Sequence, residues 1–254
     1  MSAERLTILK ISGSMSLLTC FRQRLDKMAT FSESGRDSQL MKHAALGFRA
    51  HSGWTSLVGM SLEKDEPRVM VRQRPRLVDT FTYEFRQPYH SAQKMPLDRA
   101  REFLAGVESR AEQLAEGAIR AVKTELREQG YELTCFGLLL ASTKPLPSLE
   151  KILLSHALIH AADGELFRRA LIRASGRCRV TAFTVKEHEL FGVACKTLSI
   201  EYDKLVGRLA ALGKIIGSPW SQDEKLATIA AWLALFSQRT DASLASGRGA
   251  KVGD

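Results

Sequence analysis

The chain has 254 residues, with 37 lysine and arginine residues against 28 aspartate and glutamate residues, and a formal net charge of +9 at pH 7. Its hydrophobic fraction of 44% and charged fraction of 26% are typical of a globular protein and exclude a wholly disordered chain, a collagen, a coiled-coil rod and a disulfide scaffold. The length suits one large domain or two small ones.

The two ends of the chain differ from its middle. Residues 1–40 show little hydrophobic periodicity and contain the loop-like segment 32–38. We therefore predict a poorly structured extension over 1–40, or a translation start at Met41. A single domain is predicted over 41–238, followed by a disordered tail over 239–254 that is rich in glycine, serine and alanine.

The first part of the domain has strand patterns. Apolar or alternating runs predict strands over 44–50, 54–62 and 68–78, with one wet, arginine-bearing face on the third. Because the links between them are short, we expect an antiparallel meander. A long connection over 79–95 follows, in which His90 is a candidate general base.

The second part alternates helices with strands. Its apolar periodicity predicts a helix over 96–129, ended by a left-handed glycine cap at Gly130. An almost wholly apolar strand over 131–142 is typical of a central, buried position. The remaining predicted elements are a helix over 148–174 interrupted near Asp163 and Gly164, a strand over 178–185, and helices over 187–198, 201–213 and 222–236.

This order of elements predicts an α/β fold with a mixed five-stranded sheet, a three-stranded meander followed by βαβ crossovers, and helices on both faces. The order over 41–236 resembles that of the ribonuclease H-like superfamily, which includes Holliday-junction resolvases and transposase-type nucleases. The run Leu46–Trp54, LGFRAHSGW, resembles the start of resolvase-like members. In those proteins an apolar strand ends in an acid, and a glycine plus an aromatic residue opens the second strand.

The resemblance implies a magnesium-binding aspartate where this chain has Arg49, and a guanidinium cannot ligate a cation. The acid implied near the end of the fourth strand is also missing from 140–143. Asp223 and Glu224 lie in the first turn of the last predicted helix, where either could be an acid of the site. Carboxylates in this turn are equally well explained as partners of the helix macrodipole, and Ser221 with Glu224 forms a capping box. We therefore predict no metal-dependent nuclease activity.

Basic residues suggest what the protein binds. Ligands of mixed sheets often lie at strand ends, so we expect anion-binding residues there and on the helix after Gly164: Arg49, His51, Ser52 and Arg168. Three arginines of the third strand are predicted nucleic-acid contacts, although charge on an edge strand also blocks aggregation: Arg72, Arg74 and Arg76. No aromatic residue interleaves with them in sequence, so no stacking platform is predicted. The predicted function is binding of nucleic acid or a small anionic ligand.

Two other interpretations stay open, and the sequence leaves open whether the protein is an enzyme and which oligomer it forms. The first is an enzyme that uses His160 and Glu165, with Glu165 at a new helix N-terminus after Gly164 or paired with Arg168 or Arg169. The second is an interaction module that binds a partner through the helix 96–129.

No metal site or cofactor is predicted. His156 and His160 are four residues apart and share a helix face, but the glutamate that follows the first histidine in thermolysin-type sites is replaced by Ala157. The four cysteines are too far apart for a zinc knuckle or a redox pair, and the sequence has no phosphate-binding glycine loop. Cys135 and Cys178 lie in apolar, strand-like runs that suit free thiols, so we expect a reducing, cytoplasmic compartment. No apolar run reaches the roughly 18–20 residues of a membrane helix, so no membrane partner is expected.

Overall fold

The computed structural model of the protein describes residues 41–141 and 144–248. The predicted N-terminal extension, residues 1–40, and the last part of the predicted tail, residues 249–254, lie outside the described residues. No helix in the described part of the chain is long and apolar enough to cross a bilayer.

A mixed sheet organises the domain. Its strands are β1 (Lys42–His51), β2 (Trp54–Glu63), β3 (Glu66–Gln73), β4 (Tyr131–Leu140) and β5 (Thr181–Lys186). Their spatial order is β3-β2-β1-β4-β5. The pairs β1–β2 and β2–β3 are antiparallel, whereas β1–β4 and β4–β5 are parallel. This arrangement confirms the predicted α/β fold class with a mixed five-stranded sheet, in which a meander is followed by crossovers.

Helices connect and cover the strands. They are α1 (Tyr83–Arg86), α2 (Pro88–Ala92), α3 (Leu97–Glu128), α4 (Leu149–Leu153), α5 (His156–Arg177), α6 (Leu190–Thr197), α7 (Tyr202–Ile216) and α8 (Gln222–Arg248), with a 3₁₀ turn at Glu187–Glu189. The helix predicted over 96–129 is confirmed as α3, and Gly130 follows it with φ +83°. The third predicted strand is shorter than expected, because β3 ends at Gln73.

Three other predictions about the helices were wrong. The connection 79–95 contains α1 and α2 rather than loop alone. The predicted break at Gly164 does not occur, because α5 runs through it and the interruption falls at Leu154 and Ser155 instead. A glycine costs a helix only about 1 kcal/mol, and the buried residues on both sides of Gly164 outweigh that cost. Residues 239–248, predicted as part of the tail, continue α8.

The two faces of the sheet are covered by different helices. Side chains of β1 alternate, so that Leu46 and Phe48 pack with α3 and α5, while Ala45 packs with α8. The apolar stripe of α3 is buried against its own chain. This burial counts against the interaction-module interpretation, because the apolar stripe of α3 is not available to a partner.

Glycines bring α8 very close to the centre of the sheet. Gly47 of β1 and Gly137 of β4 are neighbours in register. A Cβ atom at Gly47 would lie 1.7 Å from the carbonyl oxygen of Ala227, and one at Gly137 would lie 2.0 Å from that of Ala230. The helix therefore lies directly over β1 and β4, and it places its first turn beside the carboxyl end of β1.

Candidate functional site

Arg49, near the carboxyl end of β1, lies between two carboxylates. Its Nε and Nη2 atoms donate to Glu187 at 3.2 and 2.8 Å, and its Nη1 donates to Asp223. Glu187 directly follows β5, and Asp223 lies in the first turn of α8. Because β1, β4 and β5 are parallel, their carboxyl ends share one edge of the sheet, and α8 begins at that edge.

The charges around Arg49 are largely compensated within the protein. The hydrogen bonds to Glu187, together with the two nearby carboxylates, raise the pKa of Arg49 above its ordinary value. His51 Nε2 lies 3.2 Å from Asp223 Oδ2, but burial lowers the pKa of this imidazole despite the carboxylate. A ligand anion at Arg49 would therefore have to compete with two resident carboxylates.

The acids at this edge are only partly evident from the sequence. Sequence position leaves Asp223 open as an acid of the site or as a macrodipole partner, and it does not single out Glu187, although both contact Arg49. The magnesium ions that the resemblance implies do not fit these residues, because the Arg49 guanidinium lies between the carboxylates that would have to bind them. A cation there would be repelled by this guanidinium at short range.

Arg74 is held at the start of α8. Its Nη2 donates to Glu224 at 2.8 Å, and the Glu224 side chain is only 1% exposed. The Ser221 N–H donates to Glu224 at 2.8 Å, and the Asp223 N–H donates to Ser221 Oγ at 3.3 Å, which confirms the predicted capping box. Burial alone would raise the pKa of Glu224, but hydrogen bonds from Ser221 and Arg74 outweigh it and hold this pKa below its usual value.

The predicted nucleic-acid contacts have different environments. Arg72 donates to the backbone carbonyls of Gly217 and Pro219, and Arg74 is paired with Glu224. Arg76 has no carboxylate partner among the described residues, and its guanidinium carbon lies 5.3 Å from the centroid of the Phe81 ring. Among the described residues, Arg74 is therefore the one of the three that has a carboxylate partner, whereas Arg72 is held by two carbonyl oxygens and Arg76 contacts the Phe81 ring.

Aromatic rings lie among the arginines in space, contrary to the expectation from sequence order. We call the group Trp54, Arg74, Arg76, Phe81 and Arg86 the arginine–aromatic surface. The Phe81 ring has Arg86 at 4.5 Å and Arg76 at 5.3 Å, and the Trp54 ring has Arg74 at 5.3 Å. Trp54 also stacks on the His51 ring, with centroids 4.1 Å apart and an interplanar angle of 4°. The sequence did not show this grouping because the rings come from β2 and from the segment before α1.

Backbone contacts hold Arg86 in this surface. Its Nε donates to the carbonyl of Ser52 at 3.4 Å, so the predicted anion ligand Ser52 takes part through its backbone. The next residue, Gly53, has φ +81°, and a Cβ atom there would lie 2.9 Å from Arg86 Cγ. The tight turn between β1 and β2 therefore positions an arginine from α1.

The remaining predicted site residues lie on α5 and do not form one group. Arg168 donates to Glu165 at 3.0 Å, and its side chain is 11% exposed, so this predicted anion ligand is paired within its own helix. Glu165 lies mid-helix and is about 140° from His160 around the axis. His160 instead contacts His156 and the ring of His90. The predicted pair of His160 and Glu165 is therefore not brought together.

Comparisons with known proteins give only distant structural likenesses. No family model matches the chain, and no curated protein matches it. A structure of Thermus thermophilus RuvC in complex with a Holliday junction substrate is 10% identical, with a TM-score of 0.43 over 78% of this chain and 96% of that one. A second structure of T. thermophilus RuvC is 9% identical, with a TM-score of 0.41 and the same coverage. At this distance neither assigns an activity to this chain.

Proposed function

We propose that the protein binds single-stranded nucleic acid through the arginine–aromatic surface and does not cleave it by metal-dependent chemistry at the end of β1. The observation that carries the proposal is the arrangement of Arg76 and Arg86 on the Phe81 ring. Neither guanidinium has a carboxylate partner among the described side chains, which are those of residues 41–141 and 144–239.

The surface offers both kinds of contact that single strands use. Arginines bind backbone phosphates, and exposed aromatic rings stack on bases with a contribution of about 1–3 kcal/mol per base. Phe81 is 39% exposed and the neighbouring Tyr83 is 60% exposed, so both rings can be reached. Stacking does not require a duplex groove, and this favours single strands as the ligand.

The absence of cleavage follows from the contacts of Arg49. Two-metal phosphoryl chemistry needs carboxylates that hold two cations about 4 Å apart. In this protein the Glu187 and Asp223 carboxylates are engaged by one guanidinium. A bound nucleic acid would therefore contact an ion-paired group at the end of β1 rather than a metal centre.

A small anionic ligand at Arg49 is less well supported. Such a ligand would have to displace Glu187 or Asp223, and the other predicted ligand, Arg168, is paired with Glu165. Arg76 and Arg86, by contrast, have no carboxylate partner among the described side chains and lie beside an exposed ring.

Fluorescence anisotropy with labelled single-stranded DNA, single-stranded RNA and duplex DNA tests the proposal. We expect the single strands to bind more tightly than the duplex, with affinity falling steeply between about 50 and about 200 mM salt. The double variant Arg76→Gln/Arg86→Gln should weaken binding about tenfold or more. The variant Phe81→Leu should weaken it several-fold without a change in salt dependence, because it removes about one stacking contact and no charge.

A control variant with the same loss of charge distinguishes binding at this surface from general attraction of nucleic acid to a basic protein. The double variant Arg99→Gln/Arg120→Gln removes the same formal charge from exposed positions on α3. It should leave the dissociation constant within about twofold. An equal loss in the two double variants, or no binding of any strand at low salt, would overturn the proposal.

A further inference from the structure

We infer that His90, His156 and His160 form a binding site for a zinc-type transition-metal ion, positioned by Asp163. One ring nitrogen from each of the three histidines lies within 4.8 Å of the others. Sequence spacing places only His156 and His160 on one helix face, because the third histidine, His90, comes from a helix 66 residues earlier in the chain.

The helix α5 supplies two of the ligands. His156 and His160 are one turn apart, and their Nε2 atoms are 3.0 Å apart. Two imidazole nitrogens bound to one tetrahedral zinc, each at about 2.0–2.1 Å, are roughly 3.3 Å apart. The pair is therefore already close to the spacing that a shared metal ion requires.

The short helix α2 supplies the third ligand. The His90 ring centroid lies 4.5 Å from that of His160 and 5.4 Å from that of His156. The two rings of α5 are themselves 4.4 Å apart. The three imidazoles thus face a common point between α2 and α5.

Asp163 fixes the orientation of His90. Its Oδ2 lies 2.5 Å from His90 Nδ1, and its Oδ1 accepts the Tyr89 N–H at 2.7 Å. The Asp163 side chain is only 4% exposed, so this carboxylate is held firmly. A proton on Nδ1, donated to Asp163, leaves the lone pair of His90 on Nε2, which is the arrangement that carboxylates impose on metal-bound histidines.

The burial of the cluster suits an ion that keeps one coordination position open. His90 is partly buried, whereas His156 and His160 are exposed. Three neutral imidazoles favour zinc and its first-row neighbours over magnesium or calcium, which prefer oxygen ligands. Three protein ligands with solvent at the fourth position is the usual form of a reactive rather than a structural zinc site.

Metal titration of the full-length protein tests the inference. After treatment with a chelator, the protein should bind one Zn²⁺ per chain, as measured by calorimetry. With Co²⁺ in place of Zn²⁺, it should give the visible absorption spectrum of a four-coordinate ion with nitrogen ligands. The double variant His156→Gln/His160→Gln should lose both signals. The variant His188→Gln, which changes an exposed histidine of the 3₁₀ turn, should retain them.

Asp163→Asn tests the positioning role. This variant should weaken zinc binding about 10–100-fold and alter the Co²⁺ spectrum. If it does not fold, the exposed pair His156→Gln/His160→Gln still decides the matter, provided that its thermal melt in chelator matches that of the unchanged protein. The inference would be overturned if the unchanged protein binds neither ion stoichiometrically, or if that double variant binds Zn²⁺ as tightly as the unchanged protein.

Discussion

Individual side chains at the carboxyl end of β1 decide what this edge of the sheet can hold. An acid at the position of Arg49 would need a bound cation to offset its repulsion from Glu187 and Asp223. The Arg49 guanidinium instead neutralises these two carboxylates directly. The Glu224 carboxylate is likewise stabilised by residues of the protein, since it accepts hydrogen bonds from Arg74 and from the Ser221 N–H at the start of α8. The carboxylates near this edge are therefore stabilised by residues of the protein itself.

Glu224 should make stability depend on pH. Its pKa is lower in the folded protein than the value of about 4.3 expected on unfolding. Its stabilisation is therefore complete above that unfolded value and is lost as the pH falls through the folded value. We expect Glu224→Gln to lower the free energy of unfolding by about 1–3 kcal/mol at neutral pH, and by progressively less as the pH falls below that unfolded value.

Chemical denaturation of both proteins at several pH values measures this difference. Glu128→Gln, at the exposed end of α3, serves as the control and should change the free energy of unfolding by no more than about 0.5 kcal/mol. A difference between Glu224→Gln and the unchanged protein that stays constant over the whole pH range would contradict the assigned role of Glu224.

Local partners could be predicted at this scale and distant ones could not. Ser221 and Glu224 are three residues apart, so the capping box was evident from the sequence. Arg49 is separated from Glu187 by 138 residues and from Asp223 by 174, and only the closure of the sheet brings them together. His90 was missed as a metal ligand for the same reason.

At the scale of helices and strands, the close contact of α8 with the sheet depends on the absence of side chains. The carbonyl of Ala227 occupies the space that a Cβ atom of Gly47 would fill. Because both partners are backbone, neither can move aside as a flexible side chain would. The register of α8 over β1, and so the position of Asp223, depends on this contact.

Gly47→Ala should therefore destabilise the protein by about 3 kcal/mol or more, because the overlap is with backbone. Gly117, on the exposed face of α3 with no atom near its missing Cβ, is the matched control. Gly117→Ala should raise the free energy of unfolding by up to about 1 kcal/mol, as expected for a helix interior. Thermal or denaturant unfolding measures both changes, and a Gly47→Ala variant as stable as the unchanged protein would show that α8 is not packed as described.

Elements with strong periodicity were predictable, whereas their interruptions were not. The apolar stripe of α3 was predictable from a hydrophobic period of about 3.6 residues. The strands along the chain were predictable from apolar runs and from a period of 2 residues. The break assigned to Gly164 was wrong, because Leu166 and Phe167 are fully buried and hold α5 in one piece. Local propensity is outweighed here by tertiary packing.

At the scale of the whole molecule, the fold separates three chemical environments. The carboxyl end of β1 is an ion-paired edge, and the arginine–aromatic surface carries Arg76 and Arg86, which have no carboxylate partner among the described side chains. The histidines of α2 and α5 form the third group. The residues predicted as anion ligands or nucleic-acid contacts did not locate the arginine–aromatic surface, since Arg49, Arg74 and Arg168 are each paired with a carboxylate of the protein.

The most direct measurement follows binding and cleavage of one end-labelled single strand in the same reaction, with Mg²⁺ or Mn²⁺ present. We predict that the bound fraction of the nucleic acid rises with protein concentration and that the nucleic acid stays intact. The variant Arg76→Gln/Arg86→Gln should need about tenfold more protein or more to reach the same bound fraction. Cleavage that rises with protein concentration and disappears in Asp223→Asn would contradict the account, since it would show that the acids at the end of β1 hold catalytic metal ions despite Arg49.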